Sequence, residues 1–238
     1  MLKEKYNGKL TPLAWKDIKK LRRGEHIDYL IGFKYFLGCK IDLSKRPLIP
    51  RPETEYWAQF VIHNINSRAG KGIKILDIFA GSGCVGIAVL KALSTSAVDF
   101  VDITPNCLEQ IKINLLINDI SLDRTKIIKS NVFSNLRGKK YDFILANPPY
   151  IATHSSGIEN SVLINEPKEA LFGGVDGTSY ITKFLKNAKK YLNKEGKIYM
   201  EFDSWQKGKI EDLLKKYGYK SYKFNKDQFK RFRWVEIG

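Results

Sequence analysis

The stretch "ILANPPYIA", residues 144–152, places an Asn, two prolines and a Tyr directly after a run of apolar residues. Proline has no N–H to donate to a sheet ladder, so a strand must end at Asn147. The motif presents hydrogen-bond acceptors, because Pro148 and Pro149 supply carbonyls but no donors. The Asn147 side-chain oxygen and the Pro148 carbonyl can hold the two hydrogens of a planar NH₂ group, and Tyr150 offers it a flat face.

An amide or exocyclic amine is a poor nucleophile because its lone pair is delocalised. It gains positive charge as it attacks a methyl group, and acceptors aimed at its protons stabilise that charge in the transition state. Placement in line with the methyl donor contributes further rate. The motif therefore predicts methylation of an NH₂ group without a strong general base. The structural alternative is a rigid turn, as at any Asn-Pro pair.

A second motif, "DIFAGSGCVG" (77–86), lies between a strand pattern and a helix pattern. Gly81, Gly83 and Gly86 satisfy G-x-G-x-x-G, in which glycines let a cofactor approach the backbone closely. Asp102 ends the next predicted strand, where an acid can bind a pair of ribose hydroxyls. The motif predicts an adenosyl cofactor, and a close helix–strand contact is the structural alternative.

The acid Asp77 separates two classes of adenosyl cofactor. S-adenosylmethionine carries an ammonium and a sulfonium, whereas a carboxylate would repel the pyrophosphate of NAD. The loop therefore favours a methyl donor. In open α/β sheets, ligands bind at the carboxyl ends of the strands, so we expect Asn147 to lie beside this loop.

The pattern of the chain predicts an α/β fold with a doubly wound, mostly parallel sheet, because strands and helices alternate from residue 72 onwards. The last two strands have no helix between them, so one of them should be antiparallel. The predicted strands are 73–80, 97–103, 126–132, 141–147, 196–202, 219–224 and 231–237. The predicted helices are 11–23, with Thr11 as N-cap and Pro12 in first position, 83–93, 105–119, 178–192 and 205–217. Residues 26–43 suggest a small hairpin, and 49–65 a loop leading into a helix.

The chain of 238 residues has a formal net charge of +16, concentrated at its ends. Residues 1–23 carry eight Lys and Arg, and residues 207–233 carry ten against three acids. Such a field favours a polyanionic partner, such as RNA or an RNA-bound assembly. A lysine-rich composition with solvated side chains explains the same charge.

The remaining composition bounds the class of protein. No apolar run approaches the ~20 residues of a membrane span, and the first residues resemble neither a signal peptide nor a mitochondrial presequence. Three cysteines and three histidines have no spacing typical of a metal site or of a C-x-x-C pair. We therefore expect a cytoplasmic protein without a metal or a membrane.

Four blocks, in order, match one family: "IPRPETE" (49–55), "LDIFAGSG" (76–83), "NPPYI" (147–151) and "NEPKEALFGGVDG" (165–177). On these blocks the chain resembles the HemK-like family, the release factor glutamine methyltransferases, over residues 18–238. The Asn-Pro-Pro-Tyr motif is shared with DNA and RNA amino-methyltransferases, whereas the first and last blocks are far more specific to this family.

The resemblance implies a Rossmann-like, seven-stranded class I S-adenosylmethionine-dependent methyltransferase domain over residues 51–238. It assigns residues 1–50 to a short helical and hairpin extension that docks a release factor. The implied activity transfers a methyl group from S-adenosylmethionine, leaving S-adenosylhomocysteine, to the glutamine side chain of the Gly-Gly-Gln motif in class I peptide chain release factors. The implied partner is a release factor, with proximity to a ribosome or RNA through the basic surface, and the protein is expected to be a monomer.

The resemblance also implies roles for individual residues. The residues that would hold the substrate glutamine are Asn147, Pro148, Pro149 and Tyr150. The residues that would contact the cofactor are Asp77, Phe79, Ala80, Gly81, Ser82, Gly83, Asp102, Val132 and Asn147. The residues that would line the neighbouring substrate pocket are Arg51, Glu53, Thr54, Glu166 and Pro167. The last five fit a helix start and a loop brace equally well.

The chain departs from the family pattern at three points. Phe79 stands where the family usually has Gly, and Asn131 stands where it usually has an acid. The region before "PRPETE" is shorter than the usual N-terminal helical domain, so docking would depend more on charge.

Two other functions remain open from the sequence. The first is an amino-methyltransferase for adenine or guanine in nucleic acid, which the basic charge favours and the lack of a separate target-recognition domain disfavours. The second is a non-catalytic RNA-associated protein on a degenerate methyltransferase fold, which Phe79 suggests.

Overall fold

The structure, a computed structural model, describes residues 5–67 and 72–238. The first four residues of the predicted extension 1–50 therefore lie outside the described part. The N-terminal part forms two helices and a hairpin: α1 (Pro12–Arg22), α2 (Ile27–Ile31), β1 (Phe33–Phe36) and β2 (Cys39–Asp42). Thr11 caps α1 as predicted, and its hydroxyl accepts a hydrogen bond from the Ala14 N–H at 3.1 Å.

The remaining chain forms the main sheet and its covering helices. The strands are β3 (Lys74–Ile78), β4 (Ala97–Asp102), β5 (Thr125–Lys129), β6 (Tyr141–Ala146), β7 (Leu192–Glu201), β8 (Tyr222–Lys226) and β9 (Phe232–Ile237). The helices are α3 (Pro52–Ser67), α4 (Cys84–Ala92), α5 (Pro105–Ile117), α6 (Asn160–Asn165), α7 (Lys168–Leu171), α8 (Ser179–Asn187) and α9 (Lys207–Lys216). Short 3₁₀ turns cover Leu122–Arg124, Ala188–Tyr191 and Ser204–Gln206.

The seven strands have the order β5-β4-β3-β6-β7-β9-β8. Strands β3 to β7 run parallel, and β9 is antiparallel to both β7 and β8. This confirms the predicted doubly wound, mostly parallel sheet with an antiparallel strand near its end. The strand order reverses direction between β3 and β6, and such a switch point opens a crevice at the carboxyl ends of the strands.

Several element bounds differ from the prediction. The helix predicted over 178–192 gives way to a 3₁₀ turn at Ala188, and β7 begins at Leu192, before the predicted start at 196. The sequence pattern does not predict helices α2, α6 and α7. They have four to six residues, which is too short to show a full hydrophobic period in the sequence.

Alternate residues of the central strands enter two hydrophobic layers. Ile75 of β3 packs with helices α3, α4 and α5, whereas Leu76, the next residue, packs with α8 and α9. Both residues are fully buried, and burial of such a side chain contributes about 1.5–3 kcal/mol. Because both faces of the sheet are covered, the central strands are apolar throughout rather than alternating.

The hairpin β1–β2 is fixed to α5 by side-chain amides. The side-chain oxygens of Asn114, Asn118 and Gln110 accept hydrogen bonds of 2.8–2.9 Å from the backbone N–H groups of Asp42, Lys40 and Lys45, respectively. All three amides are buried, and their bonds satisfy backbone groups of β2 and of the loop that follows it. The predicted division of the chain at residue 50 remains a prediction.

Within residues 5–67 and 72–238, no helix has both the length and the apolar composition required to cross a membrane.

Candidate active site

The glycine loop leaves β3 at Ile78 and enters α4 through a tight turn. Phe79, Gly81 and Gly83 have positive φ angles of 61°, 54° and 77°. Glycine adopts this conformation without a Cβ penalty, whereas Phe79 pays about 1–2 kcal/mol. The Phe79 ring packs against Phe184 and Tyr180 at centroid distances of 6.2 and 6.1 Å. The loop therefore keeps its left-handed turn although Phe replaces the usual glycine.

The third glycine, Gly86, serves the contact between helix and strand. A Cβ at this position would overlap the Phe100 ring and would lie 2.9 Å from Asp77 Oδ2. The Gly86 N–H donates to the same Asp77 oxygen at 2.9 Å. Close helix–strand packing, the structural alternative for this motif, therefore holds at Gly86, while Gly81 lines a pocket.

Two carboxylates lie at the strand ends beneath the loop. Asp77 is 4% exposed, and burial raises its pKa to about 8, helped by the nearby charge of Asp102 and opposed by the Gly86 N–H. Asp102 accepts hydrogen bonds from the N–H groups of Gly81 at 2.9 Å and Thr104 at 2.8 Å. Burial also raises the pKa of Asp102, although these backbone hydrogen bonds oppose the shift. Asp102 therefore fixes the loop to β4 as well as lining the pocket.

The raised pKa of Asp77 makes a prediction about stability. Between pH 4 and pH 8 the folded protein keeps the Asp77 proton, while the unfolded chain, with an ordinary pKa near 3.8, has lost it. The contribution of Asp77 to the free energy of unfolding therefore falls as the pH rises through this window. Urea unfolding at pH 5 and pH 8 should show Asp77→Asn gaining stability relative to wild type at the higher pH. A pH-independent difference between the two proteins would contradict the assignment.

The Asn-Pro-Pro-Tyr motif directly follows β6 and is braced from behind by residues 171–177. The Gly173 N–H donates to the Ile151 carbonyl at 2.8 Å. The side-chain amide of Gln206 donates to the carbonyls of Tyr150, at 2.9 Å, and Gly177, at 3.1 Å. The fourth sequence block thus holds the backbone of the motif in place.

Two glycines of the same block permit this close approach. A Cβ on Gly173 would lie 2.5 Å from the Pro149 carbonyl oxygen, and one on Gly177 would overlap the Tyr150 carbonyl oxygen. Gly177 also has a positive φ of 71°. Gly173 and Gly177 of "FGGVDG" are therefore required for close packing against the Asn-Pro-Pro-Tyr backbone as well as for the turn.

Gly177→Ala is expected to cost about 2 kcal/mol more folding free energy than Gly138→Ala. Gly138 is a matched control because it has a similar φ of 77° but no atom within 4 Å of an added Cβ. Both variants pay the left-handed penalty, and only Gly177→Ala also displaces the Tyr150 carbonyl. Urea unfolding measures the difference, and an equal cost for the two variants would show that the brace is unimportant.

A buried acid at the end of β7 joins the motif to α3. Glu201 is 1% exposed and accepts hydrogen bonds from Thr54 Oγ1 at 2.7 Å, Trp57 Nε1 at 2.6 Å and the Tyr150 hydroxyl at 3.1 Å. Burial raises the pKa of Glu201, while the three donors and the positive charge of Arg233 oppose the rise. The sequence interpretation included neither Glu201 nor Trp57. The sequence feature that could have indicated Glu201 is an acid at the carboxyl end of a buried strand.

A second buried acid connects the first and fourth sequence blocks. Glu166 is 4% exposed, and it pairs with Arg51 Nη2 at 2.5 Å and accepts from the Ile49 N–H at 3.2 Å. Glu166 therefore fits the role of a loop brace, which was one of the two interpretations open from the sequence. Arg51 itself faces both pockets described next.

Two adjoining pockets bring most of the predicted site residues together. The larger, with 27 lining residues, opens at the carboxyl ends of β3, β4 and β6. The predicted residues that line it are Arg51, Thr54, Asp77, Phe79, Ala80, Gly81, Ser82, Asp102, Val132, Asn147, Pro149 and Pro167. The smaller, with 11 lining residues, includes Pro148 and Tyr150 and shares Arg51 and Asn147 with the larger one. Glu53, Gly83 and Glu166 line neither pocket.

Asn147 lies at the junction of the two pockets. Its Nδ2 donates to Thr54 Oγ1 at 3.4 Å. Among the described residues, no protein donor engages Asn147 Oδ1 or the Pro148 carbonyl oxygen. Both oxygens belong to residues that line the smaller pocket. In the same described ranges, no group of three or more His, Cys, Asp or Glu residues could hold a metal ion.

Comparison with known proteins places these features in a family. The family model described as "Methyltransferase small domain" matches residues 54–231. The chain is 35% identical to the release factor glutamine methyltransferase of Francisella tularensis, over 88% of this chain and 73% of that protein. It is 34% identical to the bifunctional methyltransferase of Rickettsia typhi over 98% of its length, and it spans 49% of that longer relative.

The fold is also similar to solved structures. The N-terminal domain of human METTL16 in complex with SAH superposes with a TM-score of 0.59 at 16% identity, covering 84% of this chain and 75% of that one. At this identity the likeness concerns the fold alone, and it confirms the predicted Rossmann-like class I architecture.

Proposed function

The chain belongs to the release factor glutamine methyltransferase family, and from this premise we propose that it methylates the glutamine side chain in the Gly-Gly-Gln motif of class I peptide chain release factors. Family and fold confirm the predicted enzyme class, an S-adenosylmethionine-dependent methyltransferase. The individual roles of the site residues in this chain are part of the proposal.

The observation that carries the proposal is the position of Asn147 between two pockets, beside two acceptor oxygens that no donor of the described residues engages. The Asn147 Oδ1 and the Pro148 carbonyl would hold the two hydrogens of the glutamine amide. Tyr150, fixed through its hydroxyl to Glu201, would pack against the amide plane. As the nitrogen becomes positive in the transition state, the two acceptors stabilise its protons.

The larger pocket fits S-adenosylmethionine, which would supply an electrophilic methyl group. The pocket holds a buried carboxylate, Asp77, suited to the positive end of the cofactor, and a second, Asp102, suited to its ribose. Gly81, without a Cβ, allows close approach to the loop backbone. Val132 lines the same pocket and would contact the adenine. These residues would bind and orient the cofactor, while the acceptors at Asn147 and Pro148 would act on the substrate amide.

The smaller pocket suits the substrate side chain. Its walls include Ile158, Val162 and Leu171, with Arg51 at the boundary with the larger pocket. Apolar walls can hold the aliphatic part of a glutamine and exclude water, so that only the amide end reaches the polar acceptors.

Docking of the release factor would involve the N-terminal extension, residues 1–50. Leu13, Trp15 and Leu21 of α1 are exposed apolar side chains beside Lys16 and Lys20. This mixture suits a protein surface, and the basic charge suits a factor close to RNA. We further propose that the protein is cytoplasmic and acts as a monomer.

Methylation of a nucleobase is the second candidate, because the same acceptors suit the exocyclic amine of adenine and the net charge favours RNA. Purified protein offered labelled S-adenosylmethionine with either a release factor or RNA separates the two. We expect label in the release factor. Label in RNA but not in the factor would favour the second candidate.

A non-catalytic role is the third candidate. The protein should bind S-adenosylmethionine in a calorimetric titration, because the glycine loop keeps its turn despite Phe79. Absence of binding would reject both enzyme candidates.

A further inference from the structure

The carboxylate of Glu201 receives three hydrogen bonds whose directions are fixed by chemistry. The indole N–H of Trp57 can only donate, and it shares Glu201 Oε2 with the Thr54 hydroxyl. The Tyr150 hydroxyl bonds to the other oxygen, Oε1. When its carboxylate is ionised, Glu201 has no hydrogen to give, and Thr54 and Tyr150 both donate to it.

This arrangement determines what Thr54 can offer to Asn147. The single hydroxyl hydrogen of Thr54 is directed to Glu201 at 2.7 Å. Its oxygen can therefore only accept from Asn147, which lies 3.4 Å away. The group of Asn147 that faces Thr54 must be the NH₂, and the carbonyl oxygen Oδ1 must be the other end of the amide.

The orientation of an Asn amide is not decided by shape, because its oxygen and NH₂ are nearly isosteric. With the opposite orientation, Asn147 would present N–H donors where the substrate also presents N–H donors. The acceptor that stabilises the developing positive charge would then be lost.

We propose that Glu201, acting through Thr54, is a positioning residue that fixes the acceptor end of Asn147 toward the substrate. The proposal deepens the proposed function, on which the catalytic meaning of this orientation depends. The hydrogen-bond relay itself, from Asn147 to Thr54 to Glu201, is a property of the free protein.

The surroundings of Glu201 keep it suited to this role. Three donors converge on it, and the guanidinium of Arg233, which bonds Asp227 at 3.1 Å, adds positive charge nearby. Thr54 and Trp57 both belong to α3, so the same bonds also attach α3 to the end of β7. A merely structural role would predict that activity and stability change together.

The first test compares Thr54→Val with Thr54→Ser. Valine keeps the shape of the side chain but removes the hydroxyl, so we expect kcat to fall by about 10- to 100-fold with the Kd for S-adenosylmethionine unchanged. Thr54→Ser keeps the hydroxyl and should recover most of the lost kcat. A kcat for Thr54→Val equal to that of wild type, or equal losses in both variants, would overturn the proposal.

Glu201→Gln provides a second variant should Thr54→Val fail to fold. The glutamine oxygen can still accept from Trp57 and Thr54, while its NH₂ donates to the Tyr150 hydroxyl oxygen. The relay is then kept, so we expect a smaller loss of kcat than in Thr54→Val, or than in Thr54→Ala where valine is not tolerated. A larger loss of kcat in Glu201→Gln than in Thr54→Val would show that the negative charge of Glu201 matters rather than its hydrogen bond to Thr54, and would overturn the relay.

A spectroscopic measurement tests the relay without any substrate. In ¹⁵N-labelled protein the side-chain NH₂ signals of Asn147, identified by their loss in Asn147→Ala, should shift in Thr54→Val and return toward wild type in Thr54→Ser. Unchanged signals in Thr54→Val would overturn the relay. If wild-type protein does not methylate a release factor, the proposed function fails, whereas the NMR result still decides whether the Thr54 hydroxyl bonds the Asn147 amide.

Discussion

Asn147→Ala is expected to lower kcat for methyl transfer by about 10²- to 10³-fold, the cost of removing one preorganised polar group from a charged transition state. The Kd for S-adenosylmethionine should change by less than about threefold, because the loss falls on an interaction made in the transition state. Asn147 lines both pockets, and no donor within residues 5–67 and 72–238 engages its Oδ1. Single-turnover kinetics and calorimetric titration measure the two quantities separately.

Asn193→Ala is the matched control for this prediction. Asn193 is exposed, bonds Asp142 at 2.6 Å near the start of β7 and lines neither pocket. Its removal should leave both kcat and the cofactor Kd near the wild-type values. Equal losses of turnover and cofactor binding in Asn147→Ala would show that Asn147 is chiefly a cofactor or structural residue.

Asp77→Asn is expected to raise the Kd for S-adenosylmethionine by at least about 30-fold, since truncating one partner of a buried charge pair costs about 2–5 kcal/mol. The substitution keeps the shape of the side chain and leaves an oxygen that can accept from the Gly86 N–H. The loss of cofactor affinity in Asp77→Asn therefore measures the effect of removing the negative charge. Calorimetry at fixed pH measures it.

The wild-type protein adds an internal control through pH. Since burial raises the pKa of Asp77 to about 8, ionising it costs binding free energy at lower pH. Cofactor affinity should therefore rise from pH 6 to pH 9 in wild type and should change less in Asp77→Asn. A variant that binds as tightly as wild type at every pH would remove Asp77 from the cofactor site.

The order of the elements could be predicted from the sequence because long buried strands and amphipathic helices have clear periods. "KILDI" and "YDFILA" appear as strands β3 and β6, and their neighbouring ends create the site. Helices α6 and α7 could not be predicted, because their four to six residues are held by tertiary contacts rather than by their own pattern.

The site itself was only partly predictable. The acceptors of Asn147 and Pro148 can be predicted from residue chemistry. The other cofactor and substrate-pocket residues can be predicted only through the family resemblance of the sequence blocks. Glu201 could not be predicted, because it meets Thr54 across 147 positions of the chain and Trp57 across 144. For Glu166 the sequence leaves a substrate-pocket role and a loop brace open, and its bond to Arg51 favours the brace.

The most direct measurement is peptide mass spectrometry of a class I release factor after incubation with this protein and S-adenosylmethionine. We expect one added methyl group on the side chain of the Gly-Gly-Gln glutamine, and accumulation about 10²- to 10³-fold slower when Asn147→Ala replaces wild type. A methyl group at any other position of the factor, or an unmodified factor together with methylated RNA in the same reaction, would contradict the proposed function.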